Sequence, residues 1–382
     1  MKHIYLFNET DSNAAVFGIG RYIELLTNCL KTTSVQVSVV RLFSQTEKVR
    51  VTYVDKVRYI DIPCLTPKTA DKKRYCRSVA FILLPYISEN EENLFHYNYL
   101  STANLGIWLK QYCPLAEHVL TIHYREPQTF NHHVPEERFL KDVCNKIITV
   151  TPNAATSLCN DFQIPEEKIV IIPHALEAWN KSESLPSKNE LKQEMGFSSE
   201  NRILIYVGRL DANKNPQLLI DAFELLADEM DDIHLIIVGK GNYEVVFSHI
   251  KHYGKITFTG FIDKKCLRTF YYIADIGIIP SRYEEFGYTA LEMMMFGIPV
   301  IANRNHGLEA VVENRKTGIL LDLYETDNEE KQTLLLAQTI KSLLSNPKIL
   351  KTYSINSKKR FTDKFKFSDY QSKMLELYNI NK

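Results

Sequence analysis

The feature that most constrains this chain is an alternation of short apolar strands with helical patterns, which runs from one end to the other. His3–Phe7 is the first strand, and a helical pattern with Ile23, Leu26 and Leu30 on one face follows it. Strands that alternate with helices in this way form parallel sheets covered by helices. The sequence therefore predicts an α/β fold, and its 382 residues suit two domains better than one.

The same patterns locate the other elements. Further strands are predicted at Val35–Phe43, Val57–Ile62, Leu94–Tyr97, Val119–His123, Lys146–Val150, Ile169–Pro173, Ile203–Val207, His234–Val238, Thr257–Ile262, Ile276–Ile279 and Val300–Ile301. Helices are predicted at Ala103–Gln111, Pro216–Ala227, Thr289–Phe296 and Phe361–Ile380, and after Thr151-Pro152, which is typical of an N-cap followed by a first helical proline. Between the two halves, residues 178–200 are polar and predict a linker with a short helix.

Charge and cysteine usage narrow the class of protein. Lysine plus arginine and aspartate plus glutamate number 46 each, so no global field favours nucleic acid or an anionic membrane. Lys72-Lys73-Arg74 with Arg77 is a local basic run of the kind that usually forms a solvated face. None of the seven cysteines is spaced as in a Cys-x-x-Cys pair, which favours reduced thiols without zinc or disulfides. The longest apolar run free of glycine and proline is Val79–Leu84, far too short to span a membrane, so we expect a soluble cytoplasmic protein with at most peripheral membrane contact.

The stretch from Pro280 to Val300 carries the strongest chemical signal. A strand, a polar turn and a helix ended by Gly297 follow one another, with Glu284 in the turn and Glu292 on the helix. Gly287 lets the backbone approach a ligand, and the free amides at a helix start favour anions. A phosphate, a diol or a sugar would fit this arrangement. Two solvated glutamates on an ordinary strand–turn–helix unit are the alternative.

Other candidate residues also follow strands. Arg209, next to Gly208, and Lys214 come just after Ile203–Val207, where they could clamp a diphosphate or simply face solvent. His123 ends a strand, at the sheet edge where α/β proteins bind ligands, although a hydrogen-bonded structural histidine is the alternative.

Two further segments invite a functional interpretation. Gly18-Ile19-Gly20 lacks the third glycine and the tight turn of a dinucleotide fingerprint, but a glycine loop before a helix can still cradle a diphosphate. The loop from Tyr124 to Phe139 is rich in aromatic residues and includes His132-His133, and we expect it to form a flap that contacts an acceptor and no metal pair.

These residues together resemble a known family. Ser281-x-x-Glu284, Phe286-Gly287, Leu291-Glu292 and Gly297-x-Pro299-Val300 resemble the Glu-x7-Glu signature of family 4 retaining glycosyltransferases. Gly208-Arg209 with Lys214 is similar to the family's second signature, and His123 follows a Thr-x-His run like the family's histidine. Gly18, Gly20, Arg21 and Tyr22 match the N-terminal glycine loop, with Phe17 in place of its first glycine. His174 to Glu177 depart from the family's Asn-Gly-Val-Asp.

The resemblance implies the GT-B fold, two Rossmann-like domains with parallel sheets that face a central cleft. It implies an N-terminal acceptor-binding domain over 1–177, a linker over 178–200 and a nucleotide-sugar-binding domain over 201–360. Residues 361–382 would then form a helix that crosses back to the first domain.

The resemblance also implies a function. The expected reaction is retaining transfer of a sugar from a UDP- or GDP-linked donor to a hydroxyl of a glycan, a lipid-linked, a peptide or a small-molecule acceptor. We expect no cofactor and no metal, since the chain has no Asp-x-Asp pair. A catalytically silent nucleotide-sugar-binding subunit, or a sugar-nucleotide epimerase of the same fold, is the alternative.

Site residues follow from the same resemblance. The residues implied in catalysis are His123, Glu284, Arg209 and Lys214. Those implied in donor binding are Gly18, Gly20, Arg209, Lys214, Ile262, Glu284, Phe286, Gly287, Tyr288, Thr289 and Glu292, with Glu292 on the ribose, Glu284 on the transferred sugar and Ile262 beside the base.

Overall fold

The computed structural model describes residues 2–9, 19–64, 72–123, 134–178, 185–284 and 286–380. The chain divides into two compact units. The first unit contains residues 1–174 and 368–382, and the second contains residues 175–367. None of the helices in the described ranges combines the length and the apolar character needed to cross a bilayer.

The first unit is built on an eight-stranded sheet in the order β3-β4-β2-β1-β5-β6-β7-β8. Its strands are β1 (Lys2–Asn8), β2 (Gln36–Ser44), β3 (Arg50–Val54), β4 (Val57–Pro63), β5 (Glu92–Tyr97), β6 (Glu117–Ile122), β7 (Lys146–Thr149) and β8 (Ile169–Ile171). Before residue 174 the helices of this unit are α1 (Ile19–Lys31), α2 (Lys72–Leu83), α3 (Ala103–Tyr112), α4 (Val134–Arg138) and α5 (Pro152–Phe162), and a π-helical turn, Phe139–Val143, follows α4.

One strand departs from the predicted parallel arrangement. β3 pairs with β4 antiparallel, and the sequence patterns did not predict it. Asp55 and Lys56 join the two strands, with φ values of 48° and 69°. Two consecutive positive φ angles make the tight turn that joins antiparallel neighbours, so the chain folds straight back at this point. The remaining pairs of this sheet are parallel, as predicted.

The second unit contains a fully parallel sheet of six strands in the order β11-β10-β9-β12-β13-β14. Its strands are β9 (Arg202–Val207), β10 (Ile233–Val238), β11 (Ile256–Gly260), β12 (Ile276–Ile279), β13 (Val300–Asn303) and β14 (Gly318–Leu321). Its helices are α6 (Lys188–Glu194), α7 (Pro216–Ala227), α8 (Tyr243–Phe247), α9 (Lys264–Ile273), α10 (Tyr288–Phe296), α11 (His306–Val311), α12 (Glu329–Leu344) and α13 (Pro347–Lys364). The strand order reverses between β9 and β12, and open α/β sheets bind ligands at such a switch point.

The cores explain why these segments fold as predicted. Strands β9, β10 and β12 consist mostly of buried apolar residues, as expected for a parallel sheet with helices on both faces. Thr151 caps α5 by accepting a hydrogen bond from the Ala154 amide, which confirms the predicted N-cap. In the first unit the rings of Phe7 and Tyr97 stack with centroids 4.9 Å apart.

The predicted single helix Phe361–Ile380 is wrong. α13 ends at Lys364, and a new helix, α14 (Phe367–Leu377), follows. Phe365 leaves the helical conformation with φ −128° and ψ 27°, because its ring is buried against Phe286 in the second unit. Beyond this break, Tyr370 and Tyr378 are buried in the first unit. The chain therefore needs a turn between two differently anchored helices.

Candidate active site

The second unit places charged side chains at its switch point. The turn after β9 carries Arg209 and Lys214, and the turn after β12 carries Glu284. We call these three residues, together with Asp211 and Ser281, the charged crevice. Lys214 Nζ donates a hydrogen bond to Glu284 Oε1 and forms an ion pair with it. Two residues that are 70 positions apart in the chain therefore meet at the sheet edge.

Asp211 organises the first of these turns. Its Oδ1 accepts a hydrogen bond from the Lys214 amide at 2.9 Å, and its Oδ2 lies 3.0 Å from Arg209 Nη2. The Arg209 side chain is 54% exposed, whereas that of Lys214 is 20% exposed and that of Glu284 is 16% exposed. The guanidinium is therefore open to a solute, while the lysine is already oriented by its carboxylate partner.

Hydrogen bonds from Ser281 and Asn213 fix the second turn. Ser281, which is buried, donates from its hydroxyl to Glu284 Oε1 at 2.9 Å. Asn213 joins the two turns. Its side-chain Nδ2 atom donates to the Tyr283 backbone carbonyl at 3.2 Å, and its own backbone carbonyl accepts from the Arg282 amide at 2.7 Å. Glu285 lies outside the described residues.

A glycine permits the strand edge to close tightly beside this crevice. Gly239, just after β10, has φ +149°, and a Cβ atom there would lie 1.8 Å from the Gly208 carbonyl oxygen. The two loops are joined directly by the Gly208 amide, which donates to the Val238 carbonyl at 2.9 Å. Any side chain at position 239 would force the Gly208-Arg209 turn away from its place.

Helix α10 begins next to the crevice. Gly287 is its N-cap in the left-handed conformation, φ +83°, and the helix ends at Gly297, φ +74°. The first amides of a helix have no acceptor within it, so they attract an anion or a polar ligand. Tyr288 and Thr289 supply the first of these amides, one residue earlier than the predicted helix start. Gly297 ends the helix as predicted.

Glu292 lies inside the unit on this helix. It is 4% exposed, and its Oε2 accepts a hydrogen bond from the buried Tyr271 hydroxyl at 2.7 Å. A buried carboxylate needs such donors because transfer of an unpaired charge from water is costly. Tyr271 therefore holds the carboxylate in one orientation.

The first unit carries a different set of groups at its carboxyl edge. His123 follows β6, is 9% exposed, and has its Nε2 atom 3.2 Å from Asn98 Oδ1. Tyr22 meets it edge-on with ring centroids 4.4 Å apart, and His174 stacks on it at 5.4 Å. Burial lowers the pKa of His123 to about 3 and that of His174 well below its ordinary value. Both rings are therefore neutral near pH 7.

Comparison with known proteins identifies the second unit. Residues 187–360 match the family model described as glycosyl transferases group 1. We call residues 187–360, which carry this similarity, the group 1 domain. An uncharacterized glycosyltransferase of Methanocaldococcus jannaschii is 26% identical over 62% of this chain, and the match spans 60% of that relative's length.

Solved structures establish the fold of the whole chain around the group 1 domain. A sucrose-phosphate synthase from Thermosynechococcus elongatus superposes with a TM-score of 0.80 at 20% identity, over 99% of this chain and 98% of that one. The Anabaena protein HepE, solved in complex with UDP, superposes with a TM-score of 0.76 at 17% identity, over 99% of this chain and all of that one. The chain has the GT-B fold with two Rossmann-like domains, as predicted.

Within the group 1 domain, the structure brings together Arg209, Lys214 and Glu284, and places Gly287, Tyr288 and Thr289 at the start of α10. Phe286 is buried against Phe365, so only its backbone could face a ligand. Ile262 lies after the edge strand β11 and is half-buried. Asp211, Tyr271 and Asn98 were missed by the sequence analysis, although Asn98 directly follows a strand and that position could have indicated it.

Two predictions fall partly outside the described residues. Gly18 and Phe17 are not described, and Gly20 is buried in the first turn of α1. The predicted loop Tyr124–Phe139 is wrong at its end, since Val134–Arg138 is helical and Phe139 is fully buried against Tyr97. Phe139 therefore belongs to the core of the first unit. Among the residues described, no three His, Cys, Asp or Glu side chains are grouped so as to hold a metal ion.

Proposed function

We propose that this protein transfers a sugar from a nucleotide-sugar to an acceptor hydroxyl, with retention of anomeric configuration and without a metal. The observation that carries the proposal is the charged crevice at the switch point of the group 1 domain. At one carboxyl edge of the sheet it combines the exposed Arg209 guanidinium, the Lys214 ammonium held by its carboxylate partner, and the first turn of α10. Such a set suits a diphosphate.

The donor diphosphate would be the leaving group. Negative charge builds on it as the bond from the anomeric carbon to the phosphate oxygen breaks, and groups fixed in advance stabilise such charge most effectively. Arg209, Lys214 and the amides of Tyr288 and Thr289 would supply that stabilisation. No protein-held metal ion is needed for this role.

Glu284 and Glu292 would contact different parts of the donor. Glu292, on α10, would accept hydrogen bonds from the ribose hydroxyls beside the one that it accepts from Tyr271. Glu284, in the turn, would contact the transferred sugar while it holds Lys214. His123 of the first unit would also contact the transferred sugar.

The retaining step follows from these roles. The acceptor oxygen would form its bond to the anomeric carbon on the face from which the diphosphate departs. The acceptor proton would pass to the departing phosphate oxygen, so no carboxylate nucleophile is required. The products are the glycosylated acceptor and a nucleoside diphosphate. The similar Anabaena protein was solved in complex with UDP, which supports a nucleotide-linked donor.

The test is turnover with a panel of UDP- and GDP-sugars, with and without candidate acceptors and in the presence of EDTA. We expect release of nucleoside diphosphate that depends on an acceptor, a product with the donor's anomeric configuration, and no effect of EDTA. Binding without turnover would indicate a silent subunit, and an isomerised nucleotide-sugar would indicate an epimerase. Either result would contradict the proposal, as would activity that EDTA abolishes and manganese restores.

A further inference from the structure

The orientation of Asn98 in the first unit is fixed by its neighbours. Asn98 is buried, and its Nδ2 atom donates a hydrogen bond to the Phe7 carbonyl oxygen at 2.9 Å. Because a carbonyl oxygen can only accept, the amide nitrogen and not the amide oxygen must face it. The Oδ1 atom of Asn98 therefore faces His123 Nε2, 3.2 Å away.

This contact decides which nitrogen of His123 carries hydrogen. An amide oxygen can only accept, so Nε2 must be the donor. A neutral imidazole has one N–H, and the other nitrogen then carries the lone pair. The described ionisable groups packed against His123 are Tyr22 and His174, and His96 lies nearby. Burial lowers the pKa of His96 to about 3, so none of these groups brings a charge.

Neighbouring hydrogen bonds keep this arrangement rigid. Thr121 Oγ1 lies 2.8 Å from the Tyr22 hydroxyl and 2.7 Å from His96 Nε2. The Tyr378 hydroxyl of the C-terminal segment meets the other nitrogen of His96. These hydrogen bonds hold the Tyr22 ring in place beside His123.

We propose that Asn98 is a positioning residue that holds His123 in the Nε2–H tautomer, so that Nδ1 accepts a hydrogen bond from a substrate hydroxyl. A neutral acceptor nitrogen selects an O–H group and gives no attraction to a phosphate or a carboxylate. His123 would thus recognise a hydroxyl of the sugar or the acceptor and would not bind the donor diphosphate. The identity of that hydroxyl group rests on the proposed function, whereas the tautomer does not.

The tautomer can be measured directly. Long-range ¹H–¹⁵N correlation spectra of the protein labelled in histidine distinguish the two neutral forms from the charged ring. The His123 signals are those lost in His123→Gln. We expect the Nε2–H pattern in the wild type and a population of the Nδ1–H form in Asn98→Ala. An Nδ1–H or charged ring in the wild type would overturn the proposal. The wild-type spectrum alone gives this answer, even if Asn98→Ala does not fold.

Asn93→Ala is the matched control. Asn93 is on β5, the strand that Asn98 follows, and its side-chain amide donates to the Ser88 and Glu91 carbonyls instead of orienting a histidine. We expect the His123 signals to be unchanged in this variant. A tautomer shift of the same size in both variants would show that any loosening of β5 suffices, and would contradict a specific role for Asn98.

Kinetics separates this inference from the proposed function. Asn98→Ala should lower kcat about tenfold, the loss of roughly one net hydrogen bond, and should leave the Kd for the free nucleoside diphosphate unchanged. An unchanged kcat in Asn98→Ala, beside an active wild type, would overturn the substrate part of the inference. If the wild type turns over no nucleotide-sugar, the proposed function fails while the tautomer result stands.

Discussion

The carboxyl edges of the two sheets differ in charge and burial. In the second unit, the edge at β9 and β12 is ionic, with Arg209, Asp211, Lys214 and Glu284 in direct contact. In the first unit, the edge at β5 and β6 is neutral and buried, with His123 packed among an amide and aromatic rings. The same topology thus builds an ionic edge in one unit and an enclosed, uncharged edge in the other.

This contrast follows from burial. The charged crevice keeps its ions because the Arg209 guanidinium is exposed and Lys214 is paired with a carboxylate. The described part of the first unit instead encloses its histidines, and burial lowers the pKa of His96, His118 and His123 each to about 3. Desolvation disfavours a charged imidazole, so enclosure and neutrality come together.

The largest expected effect is a difference in acid stability between the units. Burial also lowers the pKa of His3, to about 4, and the pKa of His174. In the unfolded chain these five rings gain a proton below about pH 6.5, whereas in the folded unit they remain neutral. The unfolded state then binds more protons, so the free energy of unfolding falls as the pH falls, by at most about 1.4 kcal/mol per ring and pH unit.

Tryptophan fluorescence can follow the first unit alone. The chain has two tryptophans, and Trp108 lies on α3 of that unit. In a Trp179→Phe variant, the urea midpoint reported by Trp108 should fall clearly between pH 7.5 and pH 5. Among the described histidines of the second unit, His234 has a pKa lowered to about 4. The free energy of unfolding of the second unit should therefore fall less over this pH range than that of the first. Equal midpoints at both pH values would contradict the neutral, buried cluster.

The next largest effect concerns the ionic edge. Arg209→Ala and Lys214→Ala should each reduce sugar transfer by about 2 to 4 kcal/mol of transition-state stabilisation, since each removes a cation from the departing diphosphate. The measurement is kcat/KM with the best nucleotide-sugar. Lys341→Ala is the control, because it breaks an exposed ion pair with Glu229 elsewhere in the same unit. Wild-type rates in both crevice variants would remove the diphosphate assignment.

A smaller effect on nucleotide affinity is expected from the neutral Tyr271 hydroxyl, which donates a hydrogen bond to the Glu292 carboxylate. Tyr271→Phe removes the hydrogen bond to Glu292 and should weaken binding of the nucleoside diphosphate by about 1 kcal/mol, roughly fivefold. Tyr253→Phe, at a tyrosine that is 66% exposed in the same unit, should change nothing. Equal affinities for wild type and Tyr271→Phe would mean that Tyr271 does not orient Glu292 for binding.

Much of the fold could be predicted because it depends on local patterns. Strand β12 and helix α7 have the predicted bounds, since buried aliphatic runs and capping residues are visible in the sequence. The break at Phe365 could not be predicted, because it depends on Phe286, which is distant in the chain. The β3 hairpin was also missed, since Asp55-Lys56 adopts positive φ without a glycine.

For the candidate site, too, the sequence indicated individual residues but not the contacts between them. Residue types and spacing indicated Glu284, Glu292, Arg209 and Lys214, but no pattern could show that Lys214 and Glu284 form an ion pair. That contact needs two turns from separate strands to meet at the switch point. The support given by Asn98 to His123 is of the same kind, because parallel neighbours β5 and β6 bring together residues that are 25 positions apart.

Titration calorimetry with UDP and GDP alone tests most directly the claim that the charged crevice and α10 hold the donor. Glu292 would contact the ribose, which every nucleotide-sugar contains, so Glu292→Ala should weaken binding of the preferred nucleotide by about 2 kcal/mol, roughly 30-fold. Glu284 would contact the group that moves, so Glu284→Ala should keep the nucleotide affinity and lose transfer. Unchanged affinity in Glu292→Ala, together with lost affinity in Glu284→Ala, would contradict the account.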